Sequence, residues 1–409
     1  MTPAMLDAAN RRDTGSVVRL ARLGLGMTQT ELGRAIGYSQ AAVSRLERGG
    51  GSGHDIRTLR LVATALVIPG SVLGVVDSTE EGSGPVDRRG FLQLGAAVAG
   101  FTAAGEPGPS GSVGRIGVAE IEQATADLRA VDQRAGGGRL RLLAVMQVRH
   151  AQTLLADGRH SYETGRRLSG VLGETAILAG WLSFDAGRHD DAAGLYREAL
   201  AASGAAADDL VAAHAYANMS MLAKASERPL LAVQYAQAGQ RVAAQRGGPR
   251  LRALLFAREA NGHAVVRDRR AVHEAIGRAE RAFSSSRGTD PPWTAFFTEA
   301  ELAGVTGAAL RILGENDHAV RRIRQAAEMR ERARNRACWT FALADGLAAT
   351  GDPVQACAVA GPALATAADL ASTRVHRQVQ HLCGAMTPYA ELPEVRDFRE
   401  RASAVGPAS

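Results

Sequence analysis

Leu23 to Gly49 reads LGLGMTQTELGRAIGYSQAAVSRLERG, and the placing of its polar and apolar residues predicts two short helices in quick succession. Thr28 followed three residues later by Glu31 is a capping box, so a helix starts at Thr28 or Gln29. Leu32 and Ile36 give that helix its buried face, and Gly37 turns the chain. Ser39 is a second N-cap. Val43 and Leu46, three apart, mark the buried face of the next helix, which Gly49 closes. Downstream, Ile56, Leu59, Val62, Ala63 and Leu66 form the stripe of a helix that completes a small core. The expectation is a helix-turn-helix inside a bundle of a few helices.

The second helix of such a unit projects. Its residues away from Val43 and Leu46 are Gln40, Ala41, Ser44, Arg45 and Arg48, and a helix presenting them fits a major groove about 12 Å wide. Over roughly residues 14 to 76 the segment resembles the Cro/phage-repressor (Xre) type of helix-turn-helix. That resemblance implies double-stranded DNA as the partner and a homodimer as the working form. It implies that Gln29 braces a phosphate and that Gln40, Ala41 and Arg45 face bases; Ser39, Ser44 and Arg48 are counted with them as DNA-binding, and specificity rests on Gln40, Ser44 and Arg45. Ala41 departs from the polar residue often found in the family and offers only a methyl contact, for example to thymine. The charge agrees: residues 1–76 carry 9 arginines against 5 acids, which is +4 of the chain's formal +6. Phosphate neutralisation supplies most nonspecific DNA affinity. A protein-interaction module that has lost DNA binding is the alternative.

Composition separates three zones: residues 1–76, a linker at 77–118, and a helical region at 119–409. The linker holds Gly82-Ser83-Gly84-Pro85 and GEPGPSGSVG (105–114). It also contains Arg88-Arg89-Gly90-Phe91-Leu92 ahead of an apolar run to Ala104, which resembles a twin-arginine export signal. An export signal precedes a folded domain, however, and this run is too short to span a bilayer, so an apolar linker helix is expected, with no membrane role and a cytoplasmic protein. Cys338, Cys357 and Cys383 are odd in number and lack C-x-x-C spacing, which argues against a disulfide framework.

From Ala119 onward an all-α pattern runs almost continuously and carries a rhythm. Gly180, Gly187, Ala192, Tyr196 and Ala199 recur as Gly307, Gly314, Ala319, Ile323 and Ala326, and again as Ala344, Gly351, Ala356, Ala360 and Ala363. Small residues let two antiparallel helices approach, and the central glycine ends the first of them. This resembles the tetratricopeptide repeat, whose period of about 34 residues is stretched here to 37 between Gly314 and Gly351. The resemblance implies an α-solenoid whose first helices line a concave ligand surface. Weaker units surround Gly158, Ala232 and Ala271. An irregular helical bundle is the alternative. Asn218 and Asn261 fall inside inferred first helices, where an amide offers a donor and an acceptor to clamp a peptide backbone, although surface tolerance explains them too.

Other chemistry finds little support. Lys224 is the single lysine among 48 basic residues, and Ala225 after it rules out a phosphate-binding P-loop. Neither H-E-x-x-H nor a zinc-spaced Cys/His cluster occurs, and G-x-S-x-G is missing, so no catalytic residue, metal or cofactor is expected. The arginines between Arg321 and Arg336 alternate with Glu328 and Glu331, which reads as a solvated helix face, with an anion-binding wall as the rarer case. The combination points to a regulator that joins DNA binding to an effector domain for a peptide, a small molecule or a protein partner. A repeat-based adaptor with weak or no DNA binding is the rival.

Overall fold

The computed structural model is all-α, with nineteen α-helices and no strand among the described residues. Those residues are 13–24, 27–49, 56–66, 115–135, 140–157, 159–285, 289–328, 333–370 and 372–405, with 8, 11 and 73. The apolar stretch after Arg88-Arg89 lies outside them. The chain divides into two compact units, Met1–Pro109 and Ser110–Ser409.

In the first unit α1 (Thr14–Gly24), α2 (Gln29–Ile36), α3 (Gln40–Glu47) and α4 (Ile56–Ala65) surround one core. Both halves of the capping box form: Glu31 N donates to Thr28 Oγ1 at 3.2 Å, and Thr28 N donates to Glu31 Oε2 at 2.9 Å. Gly37 ends α2 at φ 75°, a conformation that a side chain strains. Ser39 then caps α3 by accepting from Ala42 N at 3.3 Å. Val17, Val18, Leu32, Val43, Leu46, Val62 and Leu66 are buried together. Each large aliphatic side chain removed from water contributes about 1.5–3 kcal/mol, so these few residues set the geometry of α3.

The second unit opens with α5 (Arg115–Ala135) and α6 (Arg141–Asp157). Five antiparallel pairs follow: α7 (Tyr162–Asp185) with α8 (His189–Ala206), α9 (Asp209–Ala225) with α10 (Pro229–Val242), α11 (Pro249–Val265) with α12 (Arg269–Phe283), α13 (Glu299–Ile312) with α14 (Asn316–Ala327), and α15 (Ala333–Ala349) with α16 (Pro353–Ala360). The chain ends in α17 (Ala363–Asp369), α18 (Thr373–Ala385) and α19 (Pro393–Ser403). Each pair packs internally and against the next, which is a solenoid. The expected glycines make the turns at left-handed φ of 75° (Gly187), 83° (Gly314) and 86° (Gly351). In the two weaker pairs Glu227 and Arg267 take the same conformation at 58° and 59°. Gly180 is small for a different reason, because a Cβ there would lie 2.4 Å from the buried ring of Tyr196.

The far ends of this unit meet. The Arg334 guanidinium on α15 makes a two-pronged bond to Asp132 on α5, at 2.6 and 2.9 Å, across 202 residues of sequence. Ser372, just ahead of α18, donates to Asp185 on α7 at 3.1 Å, and Arg374 Nε lies 3.4 Å from the same carboxylate. Trp181 closes the cluster by donating to Asp132 at 3.0 Å beneath the Arg334 and Arg374 guanidiniums. Burial lowers the Arg334 pKa, and the two carboxylates more than offset that, so its charge is secure. A solvated face was expected here. Arg321 and Arg324 are indeed exposed, but Arg334 is buried as the clasp of the solenoid.

Candidate functional site

The first candidate surface is the outer face of α3. Ala41, Arg45 and Arg48 stand at i, i+4 and i+7 and are exposed, with Gln40 exposed and Ser44 half-buried beside them. Val43, Leu46 and Glu47 face inward. Arg45 makes no hydrogen bond or ion pair among the described residues and is free to reach a base edge. Arg48 is not free in the same way, since its Nε donates to Ser44 O at 3.1 Å and folds the side chain over the end of its own helix. The Ser39 oxygen accepts the capping bond, and its O–H is left as a donor.

Behind this face runs a chain of polar contacts. Gln40 Nε2 donates to Gln29 Oε1 at 2.6 Å, and Gln29 Nε2 donates to Glu47 Oε2 at 2.8 Å. Glu47 in turn holds Arg22 of α1 through two nitrogens, one of them at 3.0 Å, and a third Arg22 nitrogen donates to Met27 O at 2.5 Å. Burial pushes the Glu47 carboxyl up, while the bonds from Arg22 and Gln29 pull it further down, so it stays ionised below its ordinary range. Gln29 thus has both ends of its amide engaged as a strut between the core and Gln40. Its brace is internal here. Arg22 and Glu47 were not among the expected site residues. Their signal was positional: Arg22 follows Val18 by four and Glu47 follows Val43 by four, which places a charge on each buried stripe.

The second candidate is a cavity of about 350 Å³ inside the solenoid. Its wall comes from the first helices α7, α9, α11, α13 and α15, with α5 and α18 beside the clasp. The short 3-10 turn Pro292–Phe296 lays Trp293 flat on His214, with ring centroids 3.6 Å apart at 3°. His214 Nδ1 lies 3.1 Å from Glu174, which also accepts from Arg129 at 2.9 Å. Burial pushes Glu174 up, but His214 and Arg129 bring it down to about 2. Asn218 and Asn261 both line the cavity. Asn261 is consumed internally: its Nδ2 donates to Ala257 O at 3.0 Å and to Val305 O at 2.9 Å, and its Oδ1 accepts from Lys224. Asn218 Nδ2 donates to His214 O at 3.0 Å, which leaves Asn218, unlike Asn261, with a second N–H and with Oδ1, so one of the two amides and not both keeps the donor and acceptor pair of a peptide clamp.

Among the described residues no group of three or more His, Cys, Asp or Glu is placed to hold a metal ion, and no helix is long and apolar enough to cross a membrane. A family model described as helix-turn-helix matches residues 18–71, the segment that carries α2, α3 and α4. No curated protein matches the chain. The N-terminal unit therefore carries a helix-turn-helix domain, which supports a DNA-binding regulator.

Proposed function

We propose that the chain is a bacterial, cytoplasmic, sequence-specific transcriptional regulator acting as a homodimer. Residues 1–76 bind double-stranded DNA, 77–118 link, and 119–409 form a tetratricopeptide-like domain for effector binding and dimerisation. The observation that carries the DNA reading is the α3 face. Gln40, Ala41 and Arg45 point outward while Gln29, Glu47 and Arg22 hold Gln40 from behind, so Gln40 is ordered before DNA arrives and Arg45 stays free to reach it. Gln40 offers a bidentate amide suited to adenine and Arg45 a fork suited to guanine. An effector that changes the solenoid alters the separation of two α3 helices in a dimer and so its match to half-site spacing. No catalytic step is assigned to any residue.

Selection from random double-stranded DNA with the full chain tests this reading, followed by titration of the selected site and a scrambled duplex at several salt concentrations. The selected site binds at least about 10³-fold more tightly than the scrambled one, and both affinities fall as salt rises. Equal affinity for the two duplexes removes the regulator reading.

A further inference from the structure

The cavity wall uses residue types that the chain uses nowhere else. Its one lysine, Lys224, and all three of its tryptophans, Trp181, Trp293 and Trp339, line it. The cations on the wall are not equally served. Arg129 has Glu174, Arg334 has Asp132, and Arg374 has Asp185. Among the described residues Lys224 has a neutral partner alone, Asn261 Oδ1 at 2.9 Å. Arg258 faces the same cavity with its buried Nε lacking any hydrogen-bond partner. Glu301, the carboxylate that acts on Arg258 through space, is engaged by Trp339 Nε1 at 2.9 Å.

Two neighbouring cations with no carboxylate bonded to either among the described residues are costly in such a place. Burial, and then Arg258, bring Lys224 down to about 8, and burial brings Arg258 down to about 10. A ligand anion would relieve both effects. The rest of the wall describes the remainder of the ligand: Trp339 and Trp293 present flat aromatic surfaces to the cavity, and Trp181 lies under the Arg334 and Arg374 guanidiniums at its edge. About 350 Å³ holds roughly a dozen waters, which is at the small end of ligand sites. The Asp132–Arg334 and Asp185–Ser372 bonds join the ends of the solenoid, which leaves no through-running groove for an extended peptide.

We infer that the cavity binds a small carboxylate with an aromatic body, its anion seated between Lys224 and Arg258 and its ring against the tryptophans. This names the ligand class for the effector reading above and rests on that reading only for the consequence at DNA.

The test titrates 2-naphthoate and its neutral counterpart 2-naphthamide into the full chain by calorimetry at pH 7, without DNA. The two probes share a shape and differ in charge. Naphthoate binds about tenfold or more tightly than naphthamide, and Lys224→Met removes that advantage while the naphthamide affinity holds. Equal binding of the two probes overturns the inference, as does binding of neither. So does an advantage that persists in a Lys224→Met variant with unchanged helical circular dichroism. The comparison of probes on the unaltered chain stands even if the variant misfolds. Because no DNA is present, failure here leaves the DNA-binding reading intact, and failure of selection leaves this site intact.

Discussion

The Arg22–Glu47 pair of the N-terminal unit and the Lys224–Arg258 neighbours of the solenoid treat buried charge in opposite ways. In the N-terminal unit Arg22 meets Glu47 in a closed pair, and the spare acceptor on Glu47 is taken by Gln29. In the solenoid Lys224 and Arg258 line the cavity, and among the described residues no carboxylate is bonded to either. A matched pair fixes a shape, and here the shape is the position of Gln40 on α3. Unmatched cations beside a cavity leave electrostatic free energy that a ligand can recover. Structural and ligand-directed charge are therefore separable by asking which substitution hurts and which helps.

The largest expected effect comes from Glu47→Ala, which strands the Arg22 guanidinium in the core and destabilises the N-terminal unit by about 3–5 kcal/mol in denaturant unfolding. A loss below about 1 kcal/mol would show that this pair is not the organising contact proposed, and the contrast between the units would collapse. Lys224→Met has the opposite sign. In the fold Lys224 titrates at about 8 against an ordinary 10.5, so between those values the unfolded chain holds the extra proton and stability rises with pH. Below pH 8 the full penalty applies. The variant is therefore more stable than the parent by about 2–3 kcal/mol at pH 7, and the gap closes toward pH 10.5. A gap of the same size at both ends of that range would assign the gain to packing rather than charge.

Backbone strain sharpens the same contrast on a smaller scale. At Gly314 a Cβ would touch nothing within 4 Å, so Gly314→Ala isolates the cost of left-handed φ, about 1–2 kcal/mol in thermal or denaturant unfolding. Glu227 already bears that strain at φ 58°, and Glu227→Gly stabilises by up to about 1 kcal/mol, because relief of strain exceeds the added freedom of the unfolded chain. Two substitutions at equivalent turns with the same sign would undo the equivalence of the helix pairs.

The helix-turn-helix was legible because its signals are local. A capping box, a turn glycine and a second cap all act within four residues, and the helices begin at Gln29 and Gln40 as those signals require. Pairs turned by Gly187, Gly314 and Gly351 were legible for the same reason. Pairs turned by Glu227 and Arg267 left a fainter trace, since nothing in those residue types announces a left-handed turn. Arg334 was misread because its partner lies 202 residues away and the sequence around it is a run of arginines with no apolar stripe of its own to mark the buried one. The cavity was out of reach for a related reason: the lone Lys224 excluded a phosphate loop, but only the three-dimensional arrangement sets it beside Arg258 and the tryptophans. Asn261 shows the reverse error, since an amide chosen for a ligand is spent on Val305 and Lys224.

Base reading by α3 is the central claim, and Arg45→Ala tests it most directly because that side chain is exposed and makes no bond within the described structure. Binding of the variant and the parent to the selected site and to its scrambled duplex is measured across a range of salt. A guanidinium that grips a guanine loses about 1–3 kcal/mol of preference for the selected site, with little change on scrambled DNA. Equal weakening on both duplexes, with a flatter salt dependence, would make Arg45 a phosphate contact and contradict the assignment of base reading to this face.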